Sequence, residues 1–563
     1  MAARDRVNPG SRAARALTLS LALAGMLAAA GAAAERPRTY AITGARIVTA
    51  PGAVIHKGTL LLRDGLVEAA GADVAVPADA EVIAAGDGWT VYPALIDAAS
   101  SVGLDTEAPA AAAARGRNGE EPQRAGSPHE LPAVHPEAAV VAQIDARHSS
   151  VARHREMGFG AAQVLPARGI FRGESAVLVL RDGPPAELVL QPHLAQVVAL
   201  ESASFMAGQY PSSKFGAVAT VRQALLDAQR AGEWNARWTA HPAGMVPPEF
   251  RASDASLLAV LRGERPLAWV ALTALDPGRC ASIAAEFGLK GGMLVARGLG
   301  DRAADLAAAG MPVLLPLEMP AKPELGTADD ALEASLEDMQ AYLDAPRLPA
   351  ALEQAGISVA FVTAGMKNPR RFTENLAALV KAGLGPDQAL AAVTTTPARL
   401  LGLSGVLGTL EPGKQANVMI VDGDLFDGKA KLRHLFVQGY HEQFKAEAVA
   451  GDPGAVVDPR GRWTVTTEVM GRSSESTWSI GGERDAWTGS SESARGGKRD
   501  FTSVALKGNA LTVVSPGQGG DMQVTVIITG DAFRGESTMT SQRGSVTMKL
   551  EGRRAGGSQG GTP

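Results

Sequence analysis

Nine histidines and one cysteine are the side chains of this 563-residue chain that could build a metal or nucleophilic centre. Imidazoles serve a metal best when two or more share one side of an element, at alternate positions of a strand or one turn apart on a helix. The histidines here do not fall that way. His129 and His135 stand in a stretch rich in Ala, Pro and Gly, His148 and His154 flank an expected helix six residues apart and off a common face, and His193 and His241 adjoin prolines. Exposed or locally bonded histidines are the expectation. Cys280 alone makes no internal disulfide, thiolate zinc site or iron–sulfur cluster. Ser101 is a candidate nucleophile, yet no base adjoins it in sequence and no Gly-x-Ser-x-Gly elbow presents it. Arg172, set between Gly169 and Gly173, could hold an anion and reads as an exposed turn arginine.

The chain is long enough for several domains, or for one large barrel with attachments. With 46% hydrophobic and 20% charged residues it is globular in composition. A net charge of −5 shows no basic excess, which argues against nucleic acid as a partner. Arg4, Arg6, Arg12 and Arg15 precede the apolar run 16–34, which ends in Ala32-Ala33-Ala34. This is the pattern of a cleaved export signal over residues 1–34, with a retained membrane anchor as the competing reading. Its removal leaves a net charge of −8 and a protein expected in the periplasm or outside the cell.

The mature chain changes texture three times. Residues 39–92 carry short strand patterns, among them Tyr40-Ala-Ile-Thr-Gly and Trp89-Thr-Val-Tyr92, separated by turn signals such as Arg63-Asp64-Gly65. From 93 to 401, apolar runs alternate with helical patterns such as Val218–Ala231 and Phe372–Ala382, the expected size of a (β/α)8 barrel. Asp105–Pro136 reads as a long surface loop within it. Residues 402–440 return to strand texture and 441–458 read as a linker. In 459–555, Val465 and Val469, then Val524, Val526 and Ile528, then Val546, Met548 and Leu550 alternate with polar residues, so an antiparallel barrel or sandwich is expected.

Two stretches carry a family resemblance. Ile42-Thr-Gly-Ala-Arg-Ile-Val-Thr through Tyr92-Pro93-Ala94-Leu95-Ile96-Asp97 is similar to the entry into the first barrel strand of the amidohydrolase superfamily, in its imidazolonepropionase-like and dihydroorotase-like branches. Thr394-Thr-Thr-Pro397-Ala398-Arg399-Leu400-Leu401-Gly402, Leu407-Gly408 and Gly413-Lys414 through Asp424 resemble the exit from that barrel. The resemblance implies an α/β protein: a TIM-like barrel over 93–401, with 39–92 and 402–440 joined in a composite β-sandwich domain. The all-β region 459–555 opens with Gly461-Arg462-Trp463, which resembles the entrance of lipocalin-like barrels.

The resemblance also implies where chemistry would sit. The family's one or two divalent metals lower the pKa of a bound water and polarise the scissile carbonyl. Its His-x-His pair would fall on Ala99 and Ser101, a later strand-end His on Val270, and the closing Asp, after Thr363, on Ala364. No His occurs near Met293–Ala296, where another is expected. Asp97 is retained and supports the strand end. The pocket of this degenerate site is therefore expected from Asp97, Ala99, Ser101, Val270, Thr363 and Ala364, with no metal ligand and no cofactor. The expectation is a non-catalytic barrel that binds a small-molecule ligand or supports a partner such as an active amidohydrolase paralogue. The alternative is an active hydrolase of C–N bonds in cyclic amides or dipeptide-like substrates, using zinc or another divalent metal through other ligands.

Overall fold

The computed structural model describes most of residues 38–555; residues 1–37, 106–128, 202–209, 301–305, 328–334, 445–456, 556–563 and some shorter stretches are outside the described residues. The expected export signal, the body of the 105–136 loop and most of the 441–458 linker lie there. The chain divides into two compact units, Met1–Gln443 and Phe444–Pro563.

The first unit begins with strands β1 (Tyr40–Ala50), β2 (Ala53–Arg63), β3 (Leu66–Gly71), β4 (Glu81–Ala84) and β5 (Trp89–Pro93). Asp64 and Gly65, both at positive φ, turn β2 into β3, the backbone geometry that a two-residue hairpin turn demands. The unit also ends in strands, labelled in chain order below, that join this same sheet.

Between them the chain alternates strand and helix: β6 (Leu95–Ser100), α1 (Ser149–Glu156), β7 (Phe159–Val164), β8 (Phe171–Glu174), β9 (Ala176–Val179), β10 (Val189–Gln191), β11 (Gln196–Ala199), α2 (Lys214–Ala240), α3 (Ala252–Leu261), β12 (Leu267–Ala271), α4 (Asp276–Glu286), β13 (Met293–Ala296), β14 (Val313–Pro316) and β15 (Val359–Val362). Strands β16 (Val418–Asp422), β17 (Lys431–Val437) and β18 (Tyr440–Gln443) then complete the first sheet in the order β18-β17-β16-β5-β1-β2-β3, with β4 pairing in parallel with the first residues of β1.

The middle strands form two sheets, β10-β9-β7-β6 and β15-β14-β13-β12-β11-β8. Pairings are parallel between β6 and β7 and from β11 through β15. Ala364 N–H donates to Ala99 O at 2.9 Å, bringing the ends of β15 and β6 together. The regular strand–helix alternation is interrupted at one place: β8 and β9 are halves of one extended segment that runs antiparallel to β11 and to β7. Gly173, at φ +107, lets Ala138 O approach to where a Cβ would stand 2.3 Å away. The 133–139 segment therefore lies along β8, with Ala133 and Val134 buried, so this end of the expected surface loop is core.

Strands buried on both faces read as unbroken apolar runs, as Leu267-Ala-Trp-Val-Ala does in β12. Ile96, Ala98, Val197, Ala199, Val295 and Val362 belong to one apolar cluster within these sheets.

His434 on β17 and His441 on β18 share a hydrogen bond, Nδ1 to Nε2 at 2.8 Å, beside Tyr40, Trp89 and Phe436. Burial, helped by His441 and Arg433, lowers the His434 pKa to about 4. The unfolded chain, with an ordinary imidazole near 6.5, therefore binds the extra proton first. Stability of the unit should fall as pH drops from about 6.5 to 4, by about 3 kcal/mol at the most. Urea midpoints measured across that window should lose much of their slope in His434→Phe; an unchanged slope would place the effect elsewhere.

The second unit holds strands β19 (Gly461–Val469), β20 (Arg472–Glu483), β21 (Ala486–Ser493), β22 (Gly497–Asp500), β23 (Ser503–Lys507), β24 (Ala510–Gly517), β25 (Gly520–Thr529), β26 (Ala532–Ser541) and β27 (Gly544–Arg554), all antiparallel, in the order β22-β21-β20-β19-β27-β26-β25-β24-β23. Val524, Val526 and Ile528 face its core together with Trp463, Trp478 and Phe533. Trp463 donates Nε1–H to Pro459 O at 2.9 Å, and the Arg554 guanidinium lies 4.3 Å over its ring.

Candidate functional site

The carboxyl ends of parallel strands are where α/β folds collect their working side chains. At the ends of β6 and β15 the structure brings Asp97 and Thr363 together. Asp97 is fully buried, and its Oδ1 accepts the backbone N–H of Ala99 and of Thr363, each at 3.2 Å. Its Oδ2 accepts the Thr363 hydroxyl at 2.5 Å. From α1, His154 reaches the same point: Nε2 lies 3.3 Å from Thr363 Oγ1 and 3.4 Å from Asp97 Oδ2. Its Nδ1 lies 2.9 Å from Ser150 O, and a carbonyl only accepts, so Nδ1 carries a proton. The Thr363 hydroxyl is given to Asp97, and the His154 ring closes over both facing oxygens. The result is a water-excluded carboxylate–imidazole link between a helix and two strand ends.

His154 corrects the expectation of exposed or locally bonded histidines: it is buried and bonded to residues far away in sequence. The signal was present in α1, where His154 follows the buried Val151 by three residues and so shares its inward face. Its companion His148 is the N-cap of α1, its ring accepting from Ser150 N–H. Arg172 is likewise no exposed turn arginine. It lies in β8 with its side chain mostly buried, donates to Glu201 Oε2 at 2.7 Å and to Gly169 O at 3.2 Å, and burial lowers its pKa. His193 pairs through Nδ1 with Glu174, which also binds Arg265, at the amino end of β11. Burial, with Asp276 nearby, pushes the Cys280 thiol far up, which leaves it no thiolate to act with.

The other expected positions divide. Ala99 and Val270 are buried in one apolar cluster, against which Ala364 packs. Ser101 lies one residue past β6 and is exposed. A divalent metal needs lone pairs from imidazole, carboxylate or thiolate. Methyl and isopropyl groups offer none, a neutral hydroxyl is a poor substitute, and the His154 ring nitrogens are already engaged. The residues at these positions do not fit the family's metal. Among the described residues no group of three or more His, Cys, Asp and Glu is placed to hold one. Among them, too, no helix is long and apolar enough to cross a membrane.

The amidohydrolase family model matches residues 337–471. An N-acetylgalactosamine-6-phosphate deacetylase of Escherichia coli O157:H7 is 37% identical over 62 residues, covering 11% of this chain and 15% of that protein. The chain spans about a third or less of the curated relatives that it matches. The crystal structure of an amidohydrolase from Thermotoga maritima MSB8 superposes with a TM-score of 0.58 at 20% identity, over 71% of this chain and 99% of that one, a likeness of fold. The chain is thus similar to amidohydrolases in sequence over residues 337–471 and in fold over most of its first unit.

Proposed function

We propose that this is an exported amidohydrolase-superfamily protein that has given up the family's metal-dependent hydrolysis and serves as a scaffold, binding a small molecule or supporting a partner such as an active paralogue. The neighbour relations of β6 through β15 are read as a distorted (β/α)8 barrel, and residues 459–555 as a lipocalin-like β-domain. One observation carries the proposal: Ala99 and Val270, where ligands belong, are packed in the apolar core, and Ala364 packs against it. Metal analysis tests it. The mature protein, purified from an export host and dialysed, should hold far less than one zinc or iron per chain, and neither zinc nor chelator should move its melting temperature. Stoichiometric bound metal would overturn the reading.

The second reading, an active hydrolase of C–N bonds, is favoured by the 62-residue similarity to a deacetylase and by the Asp97–His154 pair, a conceivable acid and base. A panel of cyclic amides, dipeptides and N-acetylated sugars decides it. Turnover abolished by changes at Asp97, Ser101 or His154 in protein that still folds would establish this reading in place of the first.

A further inference from the structure

At the amino ends of β12 and β13, the opposite end of these strands from Ser101 and Ala364, lies a cavity of about 260 Å³. Leu267, Ala284, Leu289 and Met311 make its apolar wall, and Trp269 and Lys290 also line it. Trp269 lines the cavity and is 1% exposed, and its indole N–H, which makes no hydrogen bond among the described residues, is not among the sealed-in donors and so is open to that space. The Lys290 side chain is exposed and has no ion-pair partner among the described residues. Gly292, on the rim, shows where the space is: a Cβ there would stand 3.6 Å from Trp269 Nε1, 3.6 Å from Met311 Sδ and 3.4 Å from Leu267 O. The nitrogen of the indole is therefore the part of that ring nearest the vacant volume.

We propose that this cavity is a binding site for a small aliphatic carboxylate. One carboxylate oxygen accepts the Trp269 indole N–H, the Lys290 ammonium neutralises the charge, and a short branched hydrocarbon body packs on Leu267, Leu289 and Met311. A single cation beside an apolar wall suits a monoanion, whereas a phosphate dianion calls for more donors. The volume is just below the roughly 300–1,000 Å³ usual for drug-sized ligands, which sets the ligand at a few carbons. The site is independent of whether hydrolysis persists at the other strand ends.

The probe is 4-methylpentanoate, added to the full mature chain labelled with ¹⁵N at tryptophan, with the Trp269 indole signal assigned by its loss in Trp269→Phe. That signal should shift saturably. The neutral isostere 4-methylpentanamide should bind about tenfold more weakly, and Lys290→Gln should weaken carboxylate binding about threefold. Gly292→Ala should abolish the shift with the melting temperature nearly unchanged, since its methyl meets neighbours at ordinary van der Waals distances. No saturable shift, equal affinity for acid and amide, or undiminished binding by Gly292→Ala would each overturn the proposal.

Discussion

Asp97→Ala is expected to destabilise the Met1–Gln443 unit by about 3–5 kcal/mol, since it leaves three buried donors without their acceptor at about 1–3 kcal/mol each. The methyl leaves the backbone N–H groups of Ala99 and Thr363 without an acceptor and the Thr363 hydroxyl without its shortest bond. It also leaves the His154 ring facing an empty corner from which water is excluded. Asp97→Asn keeps the shape and one acceptor oxygen but turns an N–H toward His154, so its cost should be smaller. Urea unfolding, followed by hydrogen exchange at the β6 amides so that only this unit is read, measures both. A loss below about 1 kcal/mol for the alanine variant would mean that the carboxylate is not the link described here. Combining Asp97→Ala with His154→Ala should cost less than the two single losses together, because each single change strands the same partner.

Trp463→Ala is expected to cost the Phe444–Pro563 unit about 3–5 kcal/mol, the usual price of deleting a large buried aromatic. Trp463 lies tilted against Phe533 with ring centroids 5.2 Å apart, donates to Pro459 O and carries the Arg554 guanidinium on its face. An alanine removes all three at once. Protection of β19 through β27 against hydrogen exchange should collapse while that of β11 through β15 is unchanged. Equal loss in both sets of strands would contradict the division into two compact units.

The hairpins and the second unit were the most legible parts of the sequence, because their signals are local. Asp64-Gly65 sits at positive φ as the turn requires, and the alternate positions Val524, Val526 and Ile528 all face the core. The antiparallel run of β8 and β9 was not legible. Phe171-Arg-Gly-Glu mixes polar and apolar residues and Ala176-Val-Leu-Val is a short apolar run, both almost wholly buried, and neither pattern carries information on strand direction. The meeting of Asp97 and Thr363 was hidden for another reason: the bond closes 266 residues of chain, so no window contains both partners. Arg172 and His154 misled because polar residues are exposed by default, and only their tertiary partners, Glu201 and the Asp97–Thr363 pair, overcome the cost of burying them.

The sheet that pairs β5 with β16 sets an order of events for the growing chain. Pro93 and Val418 are opposite each other in it, so the inner edge of β5 stays without its partner until nearly the whole first unit has been made. A nascent chain stopped near residue 400 would hold most of its helices and parallel strands and still present an open apolar edge, the kind of surface on which chains associate wrongly. Completion of this unit is thus tied to the arrival of its last strands, and a polypeptide kept from folding until they emerge passes through fewer exposed intermediates than one that folds as it lengthens.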